Sequence, residues 1–199
     1  MTALPAGNIG GIDGIVIGAS AGGIEALSAI LPALPAGLRT SVFVVLHLPR
    51  ERPSLLADIF SHKCALPVRE AQDKEPVEPG VIYFAPPDYH LLLDAGPSLS
   101  LSADELVHFS RPSIDVLFES AADQYGARLL GIILTGGNQD GAAGLAAVRR
   151  RGGVTVVQEP TEAQVPLMPE SALKEGPVDF VLPLERIAAL LRTLGGGAE

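Results

Sequence analysis

Cysteine is almost missing from this 199-residue chain: Cys64 stands alone. No internal disulfide can form and no thiolate zinc cluster can be built, which favours a reducing, cytoplasmic setting. Positive charge is also scarce. Lys and Arg total 14 against 23 Asp and Glu, for a net charge of −9. That balance argues against a nucleic-acid binder relying on phosphate attraction, and against adhesion to an anionic membrane surface. No apolar run approaches the roughly 18 residues of a membrane-spanning helix. The start, MTALPAGNIGG, has neither the basic region nor the apolar core of a signal peptide.

What is present is a globular composition, 47% hydrophobic and 19% charged, punctuated by 22 glycines and 17 prolines. Short apolar runs alternate with helix-like stretches. Strands are expected at Gly14–Ser20, Ser41–Leu48, Leu129–Leu134 and Val154–Gln158. Helices are expected at Gly23–Leu34, Pro53–His62 (its proline in the first turn), Pro112–Tyr125, Gly141–Arg150 and Leu184–Leu194. Continuous apolar strands between helices indicate an α/β, doubly wound, mainly parallel sheet with helices on both faces. Residues 81–101 read as a small antiparallel β segment. One domain is expected over 1–199, with 1–13 and 195–199 as flexible ends.

In such sheets, sites form beyond the carboxyl ends of the strands. Ser20, His47 and Asp140 fall at or just past such ends. Gly18-Ala19-Ser20-Ala21-Gly22-Gly23 fits a nucleophile elbow and, equally well, a phosphate cradle or a structural turn. His47 closes an apolar strand, where a polar ring must find partners, yet a satisfied core histidine has the same signature. Asp140 precedes Gly-Ala-Ala-Gly and is a natural helix N-cap; it would equally serve as the carboxylate that orients a catalytic imidazole. Arg50 and Arg52 are candidates for substrate docking. His62 with Cys64 lacks further metal ligands, and no metal site is expected. His90 and His108 read as surface or core residues, Asp58 and Asp123 as solvated helix faces. Arg149-Arg150-Arg151 read as charges meeting a helix dipole.

Six segments together resemble the catalytic domain of the chemotaxis protein-glutamate methylesterase family, CheB. They are IVIGASAGGIEAL (15–27), VVLHLP (44–49), GVIYFAPPDYHLLL (80–93), RPSIDVLFESAA (111–122), ILTGGNQDGAAGL (133–145) and QEPTEAQVPLMPESAL (158–173), in the family's order. The resemblance implies a serine hydrolase with Ser20 as nucleophile, His47 as base and Asp140 as acid. It implies release of methanol from glutamyl methyl esters on the cytoplasmic helices of chemoreceptors, with deamidation of receptor glutamines as a further activity. No metal or organic cofactor is implied. Backbone N–H groups of Ala21 and Gly137 are the candidates for holding the oxyanion. Two alternatives remain beside this reading. One is a non-catalytic signalling module of the same fold that docks receptors or kinases; the other is a nucleotide-binding α/β protein.

The chain departs from the family in three ways. Ala21 stands where threonine is usual. Gly137 and Asn138 replace the methionine and second glycine of the usual loop before the aspartate, Asn138 being tolerable even in a left-handed conformation. No phosphoreceiver domain is expected in these 199 residues, so regulation by a separate partner is an open expectation.

Overall fold

The structure, a computed structural model, describes residues 11–49 and 53–194. The chain alternates in order: β1 (Gly14–Ala19), α1 (Gly23–Ile30), β2 (Ser41–Leu46), α2 (Leu56–Ser61), β3 (Val68–Glu70), β4 (Ile82–Phe84), β5 (His90–Asp94), β6 (Ser98–Ser102), α3 (Ile114–Tyr125), β7 (Leu129–Ile133), α4 (Ala142–Arg150), β8 (Val154–Gln158), α5 (Leu167–Glu175), β9 (Phe180–Leu182) and α6 (Leu184–Thr193).

Seven strands form one parallel sheet in the order β3-β4-β2-β1-β7-β8-β9, and β5 pairs with β6 antiparallel beside it. Because side chains alternate across a strand, each strand feeds two cores. Ile15, Ile17, Val42 and Val44 pack with Leu27, Ile30 and Leu191 on one face. Val16, Phe43 and Val45 pack with Ile114, Leu117, Phe118 and Met168 on the other. That is why the strands read as unbroken apolar runs rather than alternating ones. The sheet winds outward in opposite directions from β1 and β7, so the switch point lies between them, where open α/β sheets hold their sites.

Several expectations shift. The antiparallel segment is confined to β5–β6; β4, placed with it from sequence, joins the main sheet as a parallel strand beside β2. Three residues are too few to reveal which partner a strand takes. Pro53 precedes α2, which begins only at Leu56, rather than opening it. The short edge strands β3 and β9 and the helix α5 were not anticipated. Of the expected ends at 1–13 and 195–199, residues 1–10 and 195–199 lie outside the described residues, whereas Ile12 O accepts from Thr40 Oγ1 and Asp13 N donates to Arg128 O. No helix among the described residues is long and apolar enough to cross a membrane.

Candidate functional site

The parallel register that ends at Ala19 opposite Leu46 carries Ser20 alongside His47, and the His47 N–H donates to Ala19 O at 3.1 Å. On the other side, Ser20 N donates to Thr135 O at 2.9 Å. Ser20 therefore sits at the switch point, between the residue that follows β2 and the loop that follows β7. Two glycines make room for it. Gly22, at φ 78°, begins α1; a Cβ there would come within 2.5 Å of the Gln164 side chain. A Cβ on Gly136 would lie 2.6 Å from Met168 and 3.0 Å from the Ser20 Cβ.

The loop 135–141 is braced from beneath. Thr135 Oγ1 donates to Ala21 O at 2.9 Å and accepts from Val165 N at 2.9 Å. Thr135 N donates to the buried Gln158 Oε1 at 2.8 Å. Gly136 N donates to Val165 O, and Met168 N to Gly136 O. The Ser20 turn, the β7 loop and the start of α5 are thus joined by hydrogen bonds. Among the described residues, the Ser20 hydroxyl and the N–H groups of Ala21 and Gly137 have no protein partner. Gly136 N is already used and so cannot serve a ligand.

Asp140 is fully buried, and its carboxylate is saturated with donors. Oδ1 accepts from Ser113 Oγ (2.8 Å) and Asp115 N (3.0 Å); Oδ2 accepts from Ile114 N (2.7 Å) and His47 Nε2 (2.8 Å). The helix it caps is α3, not α4, which it precedes; the N-cap residue of α4, Gly141, supplies no capping side chain of its own. Burial pushes this carboxyl upward, but the hydrogen bonds from His47 and the two backbone N–H groups outweigh burial and hold it below the usual carboxylate range. An ionised carboxylate only accepts, so His47 Nε2 is the donor in this contact, which leaves Nδ1 as the acceptor of the neutral ring. The His47 side chain is 12% exposed.

Sequence reading missed three supports of this arrangement. Ser113 supplies the hydroxyl on Asp140, and its position just before a helical pattern was the available signal. His90, buried, accepts from Ser113 N at Nδ1 (3.1 Å) and bonds Glu105 O through Nε2 (2.9 Å); it is a core histidine that steadies Ser113. Asp115 accepts from Gly141 N (2.9 Å) and Gly144 N (2.6 Å). Asn138 is not left-handed; positive φ outside glycine falls at Lys74, Asp88, His108 and Phe109 among the described residues. Its Oδ1 instead accepts from Asp140 N at 3.2 Å, closing a turn that presents the aspartate.

The remaining candidates separate from the site. Arg50 and Arg52 lie outside the described residues. Arg149 pairs with Asp179 and Arg151 with Asp123, so these two cations are held locally. Among the described residues no cluster of His, Cys, Asp or Glu could hold a metal. Burial pushes the Cys64 thiol up to about 11, which keeps it protonated and unreactive. A cavity of about 310 Å³ between α4 and α5, lined by Leu145, Arg149, Ala172 and Val178 among others, includes none of Ser20, His47 and Asp140.

Known proteins share this architecture. The crystal structure of the Thermotoga maritima CheB methylesterase catalytic domain superposes with a TM-score of 0.87 at 35% identity, over 92% of this chain and 98% of that one. A Symbiobacterium thermophilum protein named protein-glutamate methylesterase/protein-glutamine glutaminase is 40% identical over 184 residues, 92% of this chain and 51% of that protein. A Leptospira interrogans protein given the same name provisionally is 46% identical over 178 residues, 89% of this chain and 92% of its own length. The chain thus spans about half the length of some relatives and nearly all of others. The sequence profile described as CheB methylesterase matches residues 15–191, and the chain belongs to that family.

Proposed function

We propose that this protein is a serine hydrolase that removes methyl esters from glutamate side chains of chemoreceptors and deamidates receptor glutamines. It acts in the cytoplasm as one catalytic domain over 1–199, with 1–13 and 195–199 as its ends. The observation that carries the reading is the 2.8 Å contact between His47 Nε2 and a buried, donor-saturated Asp140, beside Ser20 at the sheet's switch point.

In this reading, His47 Nδ1 takes the Ser20 proton as Oγ attacks the ester carbonyl. The resulting imidazolium is stabilised by Asp140, whose carboxylate is already ionised and fixed. The N–H groups of Ala21 and Gly137, which have no protein acceptor among the described residues, receive the oxyanion. The intermediate collapses, His47 returns the proton to the departing methoxide, and methanol leaves a glutamyl ester on Ser20. Water, deprotonated by His47, then attacks the acyl carbon, and His47 returns that proton to Ser20 Oγ as the carboxylate is freed; from glutamine the first leaving group is ammonia. Each step moves one proton between His47 and an oxygen or nitrogen. No metal or organic cofactor enters it.

The test is methanol release from methylated receptor by wild type, Ser20→Ala and His47→Ala. Wild type should release methanol and both variants should fall by about 10³ or more. Equal rates for wild type and Ser20→Ala would overturn the serine mechanism. No release from wild type would favour a docking module of the same fold. Labelling by an active-site serine reagent should map to Ser20 and disappear in His47→Ala.

A further inference from the structure

Eight large apolar side chains are exposed among the described residues, and six of them lie on segments that follow the carboxyl ends of the strands or lead into α3. Ile24 follows the Ser20 turn, Leu55 lies beyond β2, Tyr89 beyond β4, and Leu167 opens α5; Leu106 and Phe109 precede α3. The carboxyl ends of the strands form the edge that carries Ser20, His47 and Asp140. Phe109 is the extreme case, 93% exposed.

Its backbone is as unusual as its exposure. Val107 and Ser110 exchange both backbone hydrogen bonds, at 3.1 and 2.8 Å, which makes 107–110 a two-residue hairpin turn. Both central residues are left-handed, His108 at φ 47° and Phe109 at φ 61°. Such turns are normally filled by Asn-Gly or similar pairs, since a bulky side chain at positive φ is strained. His108 has a local reason to be there: Nε2 lies 3.3 Å from Asp115 Oδ2, and Nδ1 lies 3.2 Å from Gln139 Nε2. Phe109 has no ring partner within the protein among the described residues. The turn is nevertheless fastened to the site. Asn138 Nδ2 donates to Ser110 Oγ at 3.3 Å, so both neighbours of Phe109 are tied to the loop between Gly137 and Asp140.

We propose that Phe109 is a docking residue for the protein substrate, resting on the esterase reading above. A glutamyl ester reaches Ser20 only if the segment bearing it lies across this edge. A helix lying there, with its apolar flank inward, meets a phenyl ring held out by an anchored turn. The ring is solvent-exposed on a left-handed backbone, and it loses exposed apolar surface when the helix docks. Strained backbone retained next to a site is a recognised mark of function, and exposed aromatics are the usual anchors of protein recognition.

The substitution Phe109→Gly separates this role from a structural one. Glycine relieves the left-handed strain, so the thermal midpoint should stay level or rise. Methanol release from methylated receptor should lose about tenfold in kcat/KM, carried by KM. Hydrolysis of a small soluble ester should change less than twofold, and Phe109→Leu should recover part of the receptor KM. Unchanged receptor kcat/KM in Phe109→Gly would overturn the proposal, as would equal losses on both esters. A wild-type dimer that dissociates in Phe109→Gly would assign the ring to self-association instead and overturn it too. Wild type that hydrolyses the small ester but releases no methanol from receptor would remove the receptor reading and this proposal with it.

Discussion

The amino ends of α3 and α4 exchange carboxylates, and the two ends do not come out alike. Asp140, which precedes α4, binds the first N–H groups of α3; Asp115, in the first turn of α3, binds Gly141 N and Gly144 N at the start of α4. Both are buried, at 0% and 5% exposure. Yet Asp140 is held below the usual carboxylate range, whereas Asp115 is raised to about 6. Burial is the leading influence on each. Asp140 overcomes it with the ring of His47 and a hydroxyl in addition to backbone donors. Asp115 has two backbone donors and a more distant His108, and the charge of Asp140 adds to its burden. A helix amino end is thus not enough to hold a buried carboxylate below its usual range; the further donors around it decide that. One end becomes a lasting anion beside an imidazole, and the other a structural clasp that titrates near neutrality.

The largest way to break this pairing is Asp140→Asn. It removes the charge and permits the wrong ring tautomer, and kcat should fall by about 10⁴ in a methanol-release assay. Asp115→Ala, by contrast, should act on the fold first. Two buried N–H groups lose their acceptor, costing about 2–3 kcal/mol in urea unfolding.

The pH dependences of the two carboxyls have opposite signs. Asp140, depressed in the fold, contributes stability above its unfolded pKa that is lost as pH falls through the folded value. Asp115, raised to about 6, contributes stability that is complete below about pH 4 and lost as pH rises through about 6. Between those limits the wild type should lose on the order of 3 kcal/mol relative to Asp115→Asn. A flat difference between the two in unfolding midpoints across pH 4–7 would show Asp115 to be unperturbed.

Smaller still is Ser113→Ala, which removes one donor to Asp140 and the α3 cap on Val116 N. It should cost about 1 kcal/mol of stability, with a modest fall in kcat, because three other donors remain. The exposed Arg151–Asp123 pair is the control. Asp123→Ala should stay within about 0.5 kcal/mol of wild type and leave the rate unchanged.

The strands were legible because each is buried on both faces. GIVIGA and SVFVVL have no polar alternation to confuse them with half-exposed strands. The helices with clean apolar spacing, α3 and α6, were placed nearly to the residue. The three-residue strands β3 and β9 were not legible, since so short a run has no period to read and their pairing partners lie far along the chain. Helix α5 was masked by Pro166 at its N-cap and Pro169 in its first turn, where proline is tolerated. At the site, the N-cap signature of Asp140 was correct in kind and wrong in address. It caps a helix that begins 26 residues earlier in the chain, at Ile114.

Residue order and composition by themselves determined the alternation of strands and helices, the family, and the placement of Ser20, His47 and Asp140 at strand ends. These follow from side-chain type and local spacing, which a linear chain carries in full. Only the tertiary structure decided which nitrogen of His47 meets Asp140, across 93 residues of chain. It also decided which of two buried aspartates is held below the usual carboxylate range and which is raised above it, and that Phe109 stands in solvent on a turn tied to the loop before Asp140. Those outcomes depend on burial and on donors brought in from distant segments, and both exist only once the sheet has closed around its switch point.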